Sequence, residues 1–245
     1  MHIQVEAVTK TYGSMRALDK VSLDIEPGQV VALLGSNGAG KTTLLRCLSG
    51  IAAPTKGRFF YDKVEFHRDR MDLRRRVGFL PDFPVFFGKM TVVRHLAMVL
   101  QLYGVDGGER EKRCLEMLRQ FDLLALAELP CGRLSRGQAY KTALAALLAV
   151  DPEVLLLDEP FASGMDPHGI AALRTELQAA VKRGHTVIYS TQILDLAERF
   201  SDRVCVIHRG EVRAFDTVAD LRSRMGGPDG VLEELFRQLR EEETP

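Results

Sequence analysis

The stretch Gly35-Ser36-Asn37-Gly38-Ala39-Gly40-Lys41-Thr42 decides the fold of this chain. It matches G-x-x-x-x-G-K-[ST], a loop whose backbone N–H groups cradle phosphate oxygens. The apolar run Val30-Val31-Ala32-Leu33-Leu34 precedes it, and Lys41 to Leu48 follows with helical spacing. This is the strand–loop–helix setting that gives the motif meaning. Glycines permit the tight turn, and the helix N-terminus adds positive potential where phosphate would sit. Lys41 is expected to reach the β- and γ-phosphates, and Thr42 to offer its hydroxyl to Mg²⁺. A site for a nucleoside triphosphate is implied.

Downstream, Val154-Leu155-Leu156-Leu157 ends in Asp158-Glu159-Pro160. A buried strand that delivers a carboxylate at its C-terminal end is how a P-loop protein holds Mg²⁺, and Asp158 fits that role. Glu159, one residue on, can point elsewhere, toward a water that attacks the γ-phosphate. Between the two motifs, Leu134-Ser135-Arg136-Gly137-Gln138 precedes a strongly helical run. Ser135 suits the N-cap of that helix, and its hydroxyl with the nearby N–H groups makes a second anion site.

Bulk properties narrow the field. With 245 residues the chain has room for one large α/β domain, and 46% hydrophobic with 27% charged residues is ordinary for a domain with a substantial core. Lys plus Arg equals Asp plus Glu at 33 each, so no bulk attraction to nucleic acid is expected. The basic cluster Arg68 to Arg76 reads as a solvated helix face. Cys47, Cys114, Cys131 and Cys205 form no C-x-x-C pair and read as buried thiols. The segment Met1 to Glu6 lacks the pattern of a signal peptide, and no run approaches ~18 apolar residues, so a cytoplasmic protein is expected.

Strand patterns at 3–5, 21–25, 30–34, 77–80, 154–157, 186–190 and 204–207 alternate with helical stretches, which implies a mainly parallel sheet covered on both faces. Hairpins are expected at 59–66 and 204–215. From about 83 to 150 the pattern is helical and interrupts the sheet as an inserted subdomain. In it Leu96, Val99, Leu100 and Tyr103 share one face, and Cys114, Leu115, Leu118 and Phe121 another. Residues 226–245 read as a Gly-rich linker followed by an amphipathic tail with an apolar stripe at 231/232, 235/236 and 239.

Taken in order, Gly35–Thr42, Leu134–Gln138 and Leu157–Pro160 resemble the motifs of ABC transporter ATP-binding subunits along essentially the whole chain. The resemblance implies an α/β P-loop NTPase core of RecA-like type, with an N-terminal antiparallel β-subdomain and an inserted α-helical subdomain, over residues 1–225. It implies ATP hydrolysis with ATP and Mg²⁺ as cofactors. Gly35, Ser36, Asn37, Gly38, Ala39, Gly40, Lys41, Thr42 and Thr43 would bind the nucleotide, with Tyr12 stacked on adenine. Ser135, Gly137 and Gln138 would meet the nucleotide of a second subunit, in a homodimer or a pair with a related ATPase. Glu159 and Gln192 would be catalytic; Thr42, Asp82 and Asp158 would hold the metal. Ser163-Gly164-Met165-Asp166 looks like the family's D-loop. An integral-membrane permease would be the partner, with the subunit at the inner face of the membrane, and the tail tilts the direction toward export.

Three positions depart from the family pattern. Asp82 stands where the Q-loop has Gln, Gln192 where the switch His follows Ser-Thr, and Arg136 where the signature has its first Gly. Gln can donate an amide N–H but cannot carry the proton of His, so a reduced rate is expected. Two alternatives remain open at this stage. One is a nucleotide-gated regulatory subunit that hardly turns ATP over. The other is an ABC-type ATPase of translation or DNA repair, for which the usual tandem units, long coiled-coil insertion and zinc-ligand cysteines are missing from the sequence. Apolar residues Phe83, Val85, Phe86 and Phe87 suit a contact with the permease.

Overall fold

The P-loop strand lies at the centre of the molecule because both its faces are apolar. In the computed structural model, which describes residues 1–225, 232–234 and 237, β3 (Val30–Leu34) is buried at every position. Successive side chains point to opposite faces. Val30, Ala32 and Leu34 therefore join one core, while Val31 and Leu33 join the other. The same split occurs in β7 (Val154–Leu157) and β8 (Thr186–Thr191). Strands apolar on both faces belong inside a layered parallel sheet.

That sheet has the order β10-β9-β3-β8-β7-β6, with β6 (Val77–Leu80), β9 (Arg203–His208) and β10 (Glu211–Thr217) completing it. All pairings are parallel except the β9–β10 hairpin. A second, antiparallel sheet of order β2-β1-β4-β5 is built from β1 (Ile3–Tyr12), β2 (Met15–Ile25), β4 (Lys56–Tyr61) and β5 (Val64–Glu65). The P-loop helix α1 (Lys41–Leu48) shares its core, through Leu44, Leu45, Cys47 and Leu48.

The expected helical block stands between β6 and β7 as α3 (Val92–Leu102), α4 (Gly107–Gln120) and α5 (Arg136–Val150). Helix α5 is buried from Tyr140 to Ala149, which fits a helix apolar on all sides enclosed by its neighbours. After β7 come α6 (Pro167–Lys182), α7 (Leu194–Phe200) and α8 (Val218–Met225). Among the described residues no helix is long and apolar enough to cross a membrane.

Two details differ from the sequence pattern. Leu115 is 40% exposed, so the inner face of α4 is carried by Cys114 and Leu118, continued by Phe121 at its end. The basic cluster contains only the one-turn α2 (Met71–Arg74). Within it Arg70 pairs with Asp72, and Arg76 bridges Asp62 and Glu153 at 2.7 and 2.6 Å, clamping β6 to its surroundings. The expected amphipathic tail lies mostly outside the described residues, but Leu232 is buried in the core and its N–H donates to Glu198. All four cysteines are buried thiols; burial raises Cys47 to about 11 and Cys205 to about 12.

Candidate active site

Four neighbouring parallel strands release their chains at one edge of the sheet. The P-loop follows β3, Gln192 follows β8, Asp158 follows β7 and Asp82 comes two residues after β6. Ligands of open α/β sheets bind at this carboxyl edge. Residues far apart in sequence thus meet around a cavity of about 530 Å³, lined by Ser36 to Thr43, Asp82, Asp158 and Glu159 among others; Gln192 is not in that lining but reaches it through Asn37.

The P-loop is shaped by its glycines. Gly40 caps α1 with φ of 115°, and a Cβ there would lie 2.6 Å from the Ala17 carbonyl oxygen. Lys41 is 6% exposed, and its ammonium donates to the carbonyls of Gly35 at 2.7 Å and Ser36 at 3.2 Å. Its third neighbour is Glu159 Oε1, at 3.6 Å. Burial lowers the Lys41 pKa, and the charges of Glu159 and Asp158 oppose that shift.

Thr42 donates its hydroxyl to Asp158, with the two carboxylate oxygens 2.8 and 3.0 Å away. Ser190 Oγ donates to Asp158 Oδ1 at 2.7 Å and accepts from the Glu159 N–H at 2.8 Å. Ser190 thus orients both acids at once. Nothing in its strand pattern marks this role, which depends on the β7–β8 pairing. Glu159 adopts left-handed backbone geometry, φ 47° and ψ 47°, a conformation that costs a non-glycine residue energy and is retained where surroundings over-determine it. This turn aims Glu159 away from Asp158 and toward Lys41. Its pKa is raised, first by burial, while Lys41 and a hydrogen bond from Gln192 pull it down. Gln192 also donates to Asn37 Oδ1 at 3.0 Å.

Oxygen donors of Thr42 and Asp158 facing each other, with Asp82 lining the same cavity, form a set that suits a hard divalent cation. The P-loop amides and Lys41 suit phosphate.

The signature segment stands apart from this cavity. Ser135 caps α5 in a reciprocal capping box: Gln138 N–H donates to Ser135 Oγ at 3.3 Å, and Ser135 N–H donates to Gln138 Oε1 at 2.9 Å. A Cβ on Gly137 would lie 2.2 Å from the Gly164 carbonyl oxygen, so this position admits only glycine against the D-loop-like segment. Asp166 caps α6 through Gly169 N–H and pairs with buried Lys141 at 2.9 Å, tying that segment to α5. Tyr12 does not line the cavity; its ring is 42% exposed with Lys10 over it. Met15, Arg16, Ala17 and Arg209 line it instead, and no local motif in the sequence pointed to them. Asp82 lines the cavity but its carboxylate is bonded to Arg136 at 2.9 Å.

The family model described as ABC transporter matches residues 18–162. The chain belongs to the ABC transporter family. This ABC cassette is 33% identical over 242 residues to the ABC-type transporter ATP-binding protein EcsA of Bacillus subtilis, covering 99% of this chain and 98% of that one. It is 35% identical to the daunorubicin resistance ATP-binding protein DrrA2 of Streptomyces coeruleorubidus, over 92% of this chain and 70% of the relative. In three dimensions it matches the ATP binding subunit of an ABC transporter with TM-score 0.91 and 29% identity, over 98% and 100% of the two chains. A dimeric bacterial ABC transporter cassette matches with TM-score 0.80 at 28% identity, over 88% and 98%. The same cassette is known in a post-hydrolysis state with ADP and Pi. The present cassette is accordingly an ATP-binding, ATP-hydrolysing subunit of an ABC transporter, with the P-loop NTPase fold.

Proposed function

We propose that ATP lies along the P-loop, Gly35 to Thr43, with its phosphates over Lys41 and its Mg²⁺ held by Thr42, Asp158 and Asp82. The bound cation would neutralise charge on the transferred phosphoryl group. Glu159 takes the proton of the attacking water, and Gln192 positions Glu159 and the γ-phosphate through its amide. The observation that carries this reading is the junction of Lys41, Glu159, Asp158 and Thr42 at one sheet edge. Ser135, Gly137 and Gln138 act on the nucleotide of a second cassette, in a homodimer or with a related ATPase. Their position outside the chain's own cavity supports that division.

The pH profile tests Glu159. A base works when deprotonated, so turnover falls as pH drops through its pKa. Because burial raises that pKa, the acid limb should begin at higher pH than an ordinary glutamate would give. Phosphate release at saturating ATP, followed from about pH 5 to about pH 9, reads the limb. Gln192→Ala should move it further up, because the Gln192 hydrogen bond favours the ionised form. An acid limb at the ordinary glutamate position would remove Glu159 as the base. Gln192→His, which restores the family residue, should raise kcat severalfold with a smaller change in ATP affinity, since the contact matters most in the transition state. Equal rates for Gln192→His, Gln192→Ala and the parent would take the side chain out of the site.

The partner is a separate membrane permease, with the cassette at the cytoplasmic face. Two apolar surfaces flanking β6 suit its cytoplasmic helix. Phe83, Val85 and Phe87 follow the strand and are 65 to 90% exposed, while Phe86 turns inward against His95. On the other side a groove of about 430 Å³ is rimmed by exposed Ile51, Met71 and Leu102 with Arg74 and Arg75. The direction we favour is export, supported by the likeness to drug-resistance ATP-binding proteins and to the probable multidrug protein YbhF of Escherichia coli. A sulfate/thiosulfate import ATP-binding protein is equally similar at 35% identity, so a transport measurement has to separate the two directions. Reconstitution with the permease in vesicles, comparing ATP-driven loss and uptake of candidate cargo, tests the direction.

A further inference from the structure

Two of the departures from the family pattern meet in one bond. Arg136 Nη2 donates to Asp82 Oδ1 at 2.9 Å, and its guanidinium lies 4.6 Å from the centre of the Phe83 ring. Asp82 belongs to the core sheet edge and lines the nucleotide cavity; Arg136 is the first residue of α5, directly after the capping Ser135. The bond spans 54 positions of sequence and joins the helical block to the metal side of the site.

One turn further along α5, on the same face, comes Tyr140. It is fully buried, its hydroxyl has no hydrogen-bond partner, and the charges of Asp158, Asp82 and Glu159 all act on it. An unpaired buried hydroxyl is costly and is normally satisfied. The face of α5 that begins at the signature thus carries one direct bond to an acid of the chain's own site, Arg136 to Asp82, and one turn on a buried hydroxyl without a partner.

We infer that the Asp82–Arg136 pair is a latch through which cation binding in a chain's own pocket controls the signature residue that faces the second cassette. Magnesium and Arg136 compete for the Asp82 carboxylate. While Arg136 holds Asp82, the cation loses a ligand; when the cation takes Asp82, Arg136 is released from the sheet edge and its guanidinium is free to face the second cassette. The paired substitution supplies each charge with its complement, which neither the usual Gln nor the usual Gly would need. This inference rests on the proposal that Asp82 is a metal ligand.

The test is a double-mutant cycle in the Glu159→Gln background, with Asp82→Asn and Arg136→Gln. The readout is the Mg²⁺ concentration that half-saturates ATP binding in equilibrium dialysis; thermal unfolding confirms that each variant folds. Arg136→Gln should lower the Mg²⁺ requirement about two- to fivefold at low salt, the range of a partly exposed ion pair. That gain should shrink toward zero at about 1 M salt, where such pairs are screened. Asp82→Asn should raise the requirement more in the Arg136→Gln background than in the parent, because only there is no latch lost in compensation. Equal effects of Asp82→Asn in both backgrounds would leave Asp82 as a ligand and overturn the latch. No effect of Asp82→Asn in the Arg136→Gln background would overturn the metal-ligand assignment and the latch with it. A raised Mg²⁺ requirement for Arg136→Gln would make Arg136 a support of the site, and would also overturn the latch.

Discussion

Glu159→Gln is expected to slow ATP hydrolysis by roughly 10²- to 10⁴-fold, the contribution of a positioned general base, while ATP remains bound. Gln has the same shape and can keep a hydrogen bond in the turn, but it cannot accept the proton of the attacking water. The backbone geometry that aims residue 159 rests on its N–H to Ser190 and on Pro160, and both survive the change. The site also loses a carboxylate that burial already disfavours, so the variant should fold as well as the parent. A cassette that binds but cannot cleave ATP should accumulate as an ATP-dependent dimer. Phosphate release measures the first effect and size-exclusion chromatography with and without ATP the second. Turnover at the parent rate would move the base elsewhere, with Asp82 the next carboxylate in the cavity.

Lys41→Ala is expected to lower ATP affinity by at least roughly 10²-fold, because hydrogen bonds to a charged group contribute about 1.5–3 kcal/mol each and in the proposed pose the ammonium faces two phosphates. The damage extends into the loop. Lys41 satisfies the carbonyls of Gly35 and Ser36 and is the cation beside Glu159. Removing it leaves those carbonyls without their donor and raises the Glu159 pKa further, since the opposing charge is gone. Filter binding with labelled ATP checks the affinity. Retained affinity and turnover would defeat the assignment of the P-loop as the nucleotide site.

Much of the site was legible because its chemistry is local. Eight consecutive residues supply backbone donors, a cation and a hydroxyl, and their flanks declare strand and helix by periodicity alone. Asp158 and Glu159 were readable for the same reason, as charges that end a buried strand. Ser135 declared itself as a helix cap, and the structure adds the reciprocal bond with Gln138 that completes a capping box. Tyr12 could be placed only by resemblance, and it stands outside the cavity that Met15, Arg16 and Ala17 help to line. Asp82 and Arg136 read as two separate departures because nothing in either segment refers to the other.

By itself the sequence determined the P-loop, the alternation of strands and helices, the helical insertion and the acids at the end of β7. Each depends on residues within one turn or one strand of each other. Only the tertiary structure decided which strand lies beside which. The order β3-β8-β7-β6 brings Thr42 to Asp158 across 116 positions, places Ser190 between the two acids and sets Asp82 against Arg136. Apolar strands buried on both faces look alike in sequence, so their order is chosen by how the two cores close around them. Contacts that depend on that order become visible only once the sheet is assembled.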